Sequence, residues 1–476
     1  MSMKSYWLLS TAIVSTATAV RADAEDLMEI YQRAVQEDPL IRQAEANYLA
    51  SLEAKPQARS GVLPSLSFSA GLATSNSQDP NRPTNFATGV VDPNILSTET
   101  DRDSSNWSIN LSQTVFDWGQ FLGLKQADKV VARAETGYRL AQQDLIMRVA
   151  STYFLVLAAE DTLRSEQAAR EAIGRQLEQA QRRFEVGLIA ITDVQEAQAG
   201  YDLAVATEIE AQQNLATTQE FLREIVGEYV QNLDAPSATM PLESPQPTSV
   251  QAWVDQALDQ NLSLVSGRLA AEISRDNIDI QRSVRLPSVN LSGSMSQASS
   301  DTVRYNNLLS TAPCLQDPPC PPTQTPSQSD SESYSLALSF RVPIYSGGLN
   351  ASRIQQAVYE HRGSIEALEY IARQTEREAR DAYLSVISEI SRVRALAQAV
   401  ESTRTALRAT EAGFEVGTRT TVDVLTSQNS VRRAETTYAR SRYDYILNVL
   451  RLKVAVGDLS VADLEEVNGW LEEPNG

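Results

Sequence analysis

Histidine occurs once in 476 residues, at His361, and cysteine twice, at Cys314 and Cys320. So small a stock of nucleophiles, general bases and metal ligands leaves little for catalysis. The chain has no HExxH, GxSxG, GxGxxG or phosphate-loop pattern. Basic residues are also scarce, 41 Lys and Arg against 61 Asp and Glu, for a net charge of −20. That balance argues against nucleic acid or an anionic membrane surface held by charge, since both require basic patches. Proline is absent between Pro93 and Pro236 and again between Pro343 and Pro474, so nothing in those stretches forbids an uninterrupted helix.

Long apolar runs are missing too. The longest candidate, Tyr6 to Val14, follows Lys4 and precedes small residues, with cleavage sites after Ala19 or Ala24. It is too short for the roughly 20 residues of a spanning helix, so residues 1–24 are expected to be an export signal, with a membrane anchor as the alternative. No cysteine near either cleavage site would take a lipid. With no other apolar run, any membrane segment must be made of strands.

What the chain does contain is written twice. Phe184–Gln198 recurs at Phe414–Gln428, with Phe-Glu-Val-Gly and the aspartates Asp193 and Asp423 in step. Leu63-Pro64-Ser65 answers Leu286-Pro287-Ser288, and Asp38 answers Asn261, at one constant offset. The expected organisation is a first repeat over 25–235 and a second over 250–476, joined by a proline-rich linker at 236–249. Each holds a β-hairpin (63–116 and 286–345), a long helix, a tip (187–193 and 417–423) and a return helix. The stretches 120–187 and 349–417 are rich in helix formers and would each span roughly 100 Å. Residues 26–60, 192–227 and 250–284 are expected as shorter return helices, the first and third read as one helix each. Helices so long suit a coiled coil or a helical tube.

Four segments alternate apolar with small polar residues. Leu66, Phe68 and Leu72 alternate with serines, and so do Trp107, Ile109 and Leu111 with Ser108, Asn110 and Ser112. Val289 to Met295 and Tyr334 to Phe340 repeat the pattern. Period two with almost no charge fits strands with lipid on one face and water on the other; a half-buried soluble sheet is the alternative. Four strands cannot close a barrel, and open edges are not tolerated in lipid. Several copies must therefore pair, as a dimer or a trimer.

The residues that carry this pattern also carry a family likeness. "DLMEIYQRAVQEDP" from Asp26, the two LPS strand entries, "LSQTVFDWG", "LSFRVPIYSGG", the two FEVG sentences and "YDYILNVLRLKVAVGDL" together resemble the TolC family of outer-membrane channel-tunnels, over essentially all of the chain after residue 24. The resemblance implies a mainly α fold with membrane β, a homotrimer in which a twelve-helix α-barrel continues a twelve-stranded transmembrane β-barrel. It implies an exit duct for small-molecule efflux or type I protein secretion, in the outer membrane and extending into the periplasm. The implied partners are a periplasmic adaptor protein and an inner-membrane efflux or ABC transporter, with outer-membrane lipid around the barrel. No enzymatic activity and no cofactor are implied.

By position, the resemblance makes Thr192, Asp193, Arg419 and Asp423 gate residues, with Asp423 facing the pore. Gly187, Leu188, Gly417 and Thr418 match positions that receive the adaptor. The chain departs at Thr426, where some members carry a second acidic residue. Simpler roles compete. Thr192-x-x-Gln195 reads as a capping box, the aspartates as first-turn acids, and Gly187 and Gly417 as helix C-caps. Arg419 reads equally as a solvated surface charge, and His361 as an exposed helix residue with no ligand cluster around it. Cys314 and Cys320 flank Leu-Gln-Asp-Pro-Pro inside a Pro- and Ser-rich loop and are expected to form a disulfide, with free thiols or a metal site as alternatives. A secreted coiled-coil spacer with a soluble β cap remains the competing reading of the whole chain.

Overall fold

The computed structural model describes residues 25–79, 84–85, 89–91, 95–230, 232–237, 240–308 and 323–472. The expected export signal and the expected Cys314–Cys320 pair lie outside these residues. Two compact units form: the described parts of Met1–Tyr48, Ala134–Arg268 and Ala367–Gly476, and those of Leu49–Arg133 and Leu269–Glu366.

The chain opens with α1 (Leu27–Glu37), α2 (Pro39–Leu52) and α3 (Ala54–Ser60). One helix was expected here, and local chemistry divides it. Asp38 leaves the helical region and its carboxylate accepts from the Leu40 N–H at 2.6 Å. Pro39 follows as the first residue of α2, where its missing N–H costs nothing. Strands β1 (Ser65–Asp79) and β2 (Ile95–Phe116) come next. Then come α4 (Trp118–Glu185, 68 residues) and α5 (Ile191–Val226).

After the linker, α6 (Val250–Gln260) and α7 (Leu262–Ser283) again replace one expected helix. Asn261 is the break: its Oδ1 accepts from the Leu264 N–H and its Nδ2 donates to the Ala455 carbonyl. Strands β3 (Ser288–Leu308) and β4 (Thr323–Arg341) precede α8 (Leu349–Glu415, 67 residues), α9 (Thr421–Val456) and α10 (Val461–Asn468). Among the described residues no helix is long and apolar enough to cross a membrane.

In the first unit, one face of each helix supplies the core. Leu27 and Ile30 of α1 meet Leu145, Val149, Tyr153 and Phe154 of α4, with Ile446 and Leu450 of α9. Polar tips of buried aromatics are satisfied: the Tyr153 hydroxyl donates to the Asp234 carbonyl at 2.8 Å, and the Tyr443 hydroxyl to Asp161 at 2.5 Å. Burial pushes both phenols well above their usual range, so they remain donors. Arg148 closes on the buried carboxylate of Asp38 at 2.5 Å. Farther along α4, the buried Glu166 accepts from Arg432 of α9 and from the Thr207 hydroxyl of α5, tying three helices together.

The second unit contains a four-stranded antiparallel sheet in the order β1-β2-β3-β4. Its strands run beyond the apolar segments expected from the sequence: the mainly polar stretches 73–79, 97–106, 296–306 and 323–333 stay in the ladder. Serine and threonine keep the period-two alternation going where the apolar residues stop, so cross-strand pairing continues. In the same unit, Lys129 of α4 reaches Asp276 of α7 at 2.7 Å.

Candidate functional site at the two helix turns

Two turns repeat one geometry. At the end of α4, Gly187 N–H donates to the Phe184 carbonyl and Leu188 N–H to that of Arg183, both at 2.9 Å. At the end of α8, Gly417 donates to Phe414 at 3.1 Å and Thr418 to Gly413 at 2.8 Å. Paired bonds of this kind close a helix around a residue in the left-handed region. Gly187 and Gly417 occupy it, at φ 76° and 78°. Each Gly faces open space, so backbone conformation alone demands glycine there.

The following helices start where Asp193 and Asp423 can cap them. Asp193 accepts from the Ala190 N–H at 3.2 Å. Asp423 accepts from the Thr420 N–H at 2.9 Å and from its hydroxyl at 3.0 Å, and its own N–H donates to that hydroxyl. The capping box is therefore at Thr420 and Asp423. The box expected at Thr192-x-x-Gln195 does not form, because α5 begins at Ile191 and both residues already lie inside the helix. Ala190, which has no side-chain acceptor, leaves that turn with half a box. Bonds from Thr420, backbone first, hold the Asp423 carboxyl below the usual carboxylate range, and the nearby Arg419 adds to the effect.

The expected gate residues are placed unevenly. Asp193 and Asp423 are caps of their own turns. Thr192 and Arg419 are exposed, and among the described residues of the single chain no hydrogen bond or ion pair joins Thr192 or Asp193 to Arg419. The stem of Arg419 lies over Gly413, where an added Cβ would sit 2.8 Å from its Cγ. The guanidinium of Arg183, on α4, lies 4.7 Å from the Phe414 ring of α8, so the two turns touch within one protomer.

Leu188, 72% exposed, and Val416, 76% exposed, stand beside the turn glycines. Leu188 was named from the family resemblance, but the valines of the exposed apolar rim were not, although Val186 and Val416 recur in the doubled FEVG and signal it. His361 lies on α8 in the second unit, and no group of residues suited to holding a metal occurs among the described residues.

The chain matches the family model for outer membrane efflux protein over residues 30–228 and 253–458. It is 34% identical to outer membrane protein TolC of Vibrio cholerae over 464 residues, covering 98% of this chain and 97% of that one. It is 27% identical to the alkaline protease secretion protein AprF of Pseudomonas aeruginosa over 449 residues, covering 94% and 87%. The crystal structure of the Campylobacter jejuni CmeC outer membrane channel superposes with a TM-score of 0.70 at 15% identity, covering 94% of this chain and 90% of that one.

Proposed function

The chain belongs to the outer membrane efflux protein family, and from that premise we propose that it works as a homotrimeric exit duct gated at its periplasmic turns. It is an outer-membrane channel of the kind that serves efflux and type I secretion. The observation that carries the trimer is the sheet. Among the described residues its outer strands, β1 and β4, each join the ladder on one side only, and its apolar face is bare. Leu72 is 88% exposed and Leu336 76%. Lipid covers such a face, but an open backbone edge in lipid is prohibitively costly, so β1 of one copy pairs with β4 of the next. Three copies give the twelve strands of the family fold.

The helices of the three copies form the tube, one repeat over 25–235 and one over 250–476, and the turns at 187–193 and 417–423 face the periplasm. The gate links run between neighbouring protomers. In support of this, Arg419 makes no ion pair among the described residues of its own chain. Asp423 from each copy faces the axis, and three carboxylates there favour cations. With Thr426 in place of a second acid, that ring stands alone. The rim of Leu188 and Val416, with Gly187, Gly417 and Thr418, receives the periplasmic adaptor, through which an inner-membrane transporter is engaged. The protein acts in transport and has no enzymatic activity, and Cys314 and Cys320 form a disulfide.

The test is assembly and conductance together. Native mass spectrometry in detergent is expected to show a trimer, and the same material is expected to conduct in planar bilayers. A folded monomer without conductance would leave the secreted spacer as the better account.

A further inference from the structure

Partners across an antiparallel ladder share a face, so the register sorts every charge on the sheet. On one face, Leu66, Leu111 and Leu336 form a row, followed by Phe68, Ile109 and Tyr334. From the Trp107 row outward the charged residues described on that face are all carboxylates: Glu332, Asp330, Asp103, Asp301, Asp101 and Glu99. The opposite face is a field of hydroxyls, with Ser69 bonded to Ser108 and Ser294 to Ser335, both at 2.8 Å. Toward the end remote from α4, that face carries Arg102 and Arg304. Its other charges are Asp79, one row farther out on β1, and Arg341 at the opposite end of the sheet.

Strand parity separates the signs. Asp101 and Asp103 flank Arg102 in sequence, yet both point to the other face. Arg102 donates only to the Ser300 hydroxyl, at 3.4 Å, and neither Arg102 nor Arg304 has an ion pair among the described residues. Arg102 sits opposite Thr302, so Arg304 is its diagonal neighbour, a separation of roughly 7–8 Å. Two exposed, unneutralised guanidiniums at that spacing suit an anion whose oxygens take paired N–H donors. A spanning strand needs about 9–11 residues. β2 has 22 and β3 has 21, so the arginine rows lie past the apolar band.

We propose that Arg102 and Arg304, two from each of three protomers, ring the inner wall of the outer mouth and bind solutes bearing phosphate or carboxylate groups. This rests on the trimeric channel of the preceding subsection, which turns the hydroxyl face toward the lumen. Low-dielectric walls focus the field of such a ring on the aqueous path, where the outer carboxylates are screened from it. The outer mouth then selects for charge opposite in sign to that favoured at Asp423.

The experiment uses trimers in planar bilayers, with inositol hexakisphosphate added to each chamber in turn. Block is expected from the sheet side and is expected to fade as salt rises. Arg102→Gln with Arg304→Gln is expected to raise the blocking concentration about tenfold or more. Asp103→Asn with Asp301→Asn, on the other face, is expected to leave it within about twofold. Should the double arginine variant fail to assemble, each single substitution is read instead, at about threefold. Unchanged block in conducting arginine variants, or no block of the unsubstituted trimer, overturns the site and leaves the channel standing. Absence of any conducting trimer overturns the channel reading and the site with it.

Discussion

Asp423 has two uses available to it, and they predict different measurements. As a cap it holds the first turn of α9 through Thr420. Its carboxyl is depressed in the fold. The stabilisation it gives is therefore complete above the ordinary carboxylate pKa of about 3.9 and is lost as pH falls through the lower folded value. Amide exchange at 420–424 is expected to quicken over that acid window, and Asp423→Asn to abolish the pH dependence. As a gate residue, Asp423 instead sets the passage of ions. Arg419→Ser with Asp193→Ala is expected to raise single-channel conductance in intact trimers, and Asp423→Ala to weaken cation selectivity. Unchanged currents would leave these residues as caps alone. The turn glycines were legible as C-caps because a doubled FEVG ends two helix-forming stretches. The N-caps were only partly legible, since Asp193 and Asp423 were read as first-turn acids but not which residue precedes each helix. Ala190 has no capping side chain, and Thr192 and Gln195 imitate a box two residues too late.

At the scale of elements, strand and helix types followed from period and from missing proline, while their ends followed from particular side chains. Asp38 and Asn261 each divide a stretch whose composition reads as one helix, because a short polar side chain can cap the helix that follows. Arg102 and Arg304 were passed over because the alternation was followed only where its apolar half was apolar. The tie of Glu166 to Arg432 was also out of reach, since periodicity marks a helix face but not which distant helix it meets. Helix ends differ in how much they tolerate. Gly417 has φ 78° with nothing near its missing side chain, whereas at Gly457, φ 89°, a Cβ would lie 2.6 Å from the Gln260 carbonyl oxygen. Gly417→Ala is expected to cost about 1–2 kcal/mol. Gly457→Ala is expected to cost roughly 3 kcal/mol or more, because backbone has to move. Denaturant unfolding of the two variants in parallel measures the difference.

For the whole molecule, one prediction concerns the cysteines. Non-reducing peptide mapping is expected to find Cys314 joined to Cys320 within one chain. Cys314→Ser with Cys320→Ser is expected to leave the trimer and its conductance intact, because no four-stranded pairing depends on them. Free thiols in normally exported protein would refute the link. The fold class was readable at this scale because three absences agreed: no apolar helix, no interruption in two long helical stretches, and too few strands to close alone.

The two bare edges of the sheet have a genetic consequence. In the proposed trimer each copy completes its neighbours, so a defective β1 or β4 harms chains that carry no defect. In a cell making equal amounts of normal and edge-damaged protein, random mixing leaves about one assembly in eight free of damaged copies. An edge-damaged allele of this protein is therefore expected to be dominant, with export falling far below half. A defect confined to the wet face, away from either edge, is expected to be recessive.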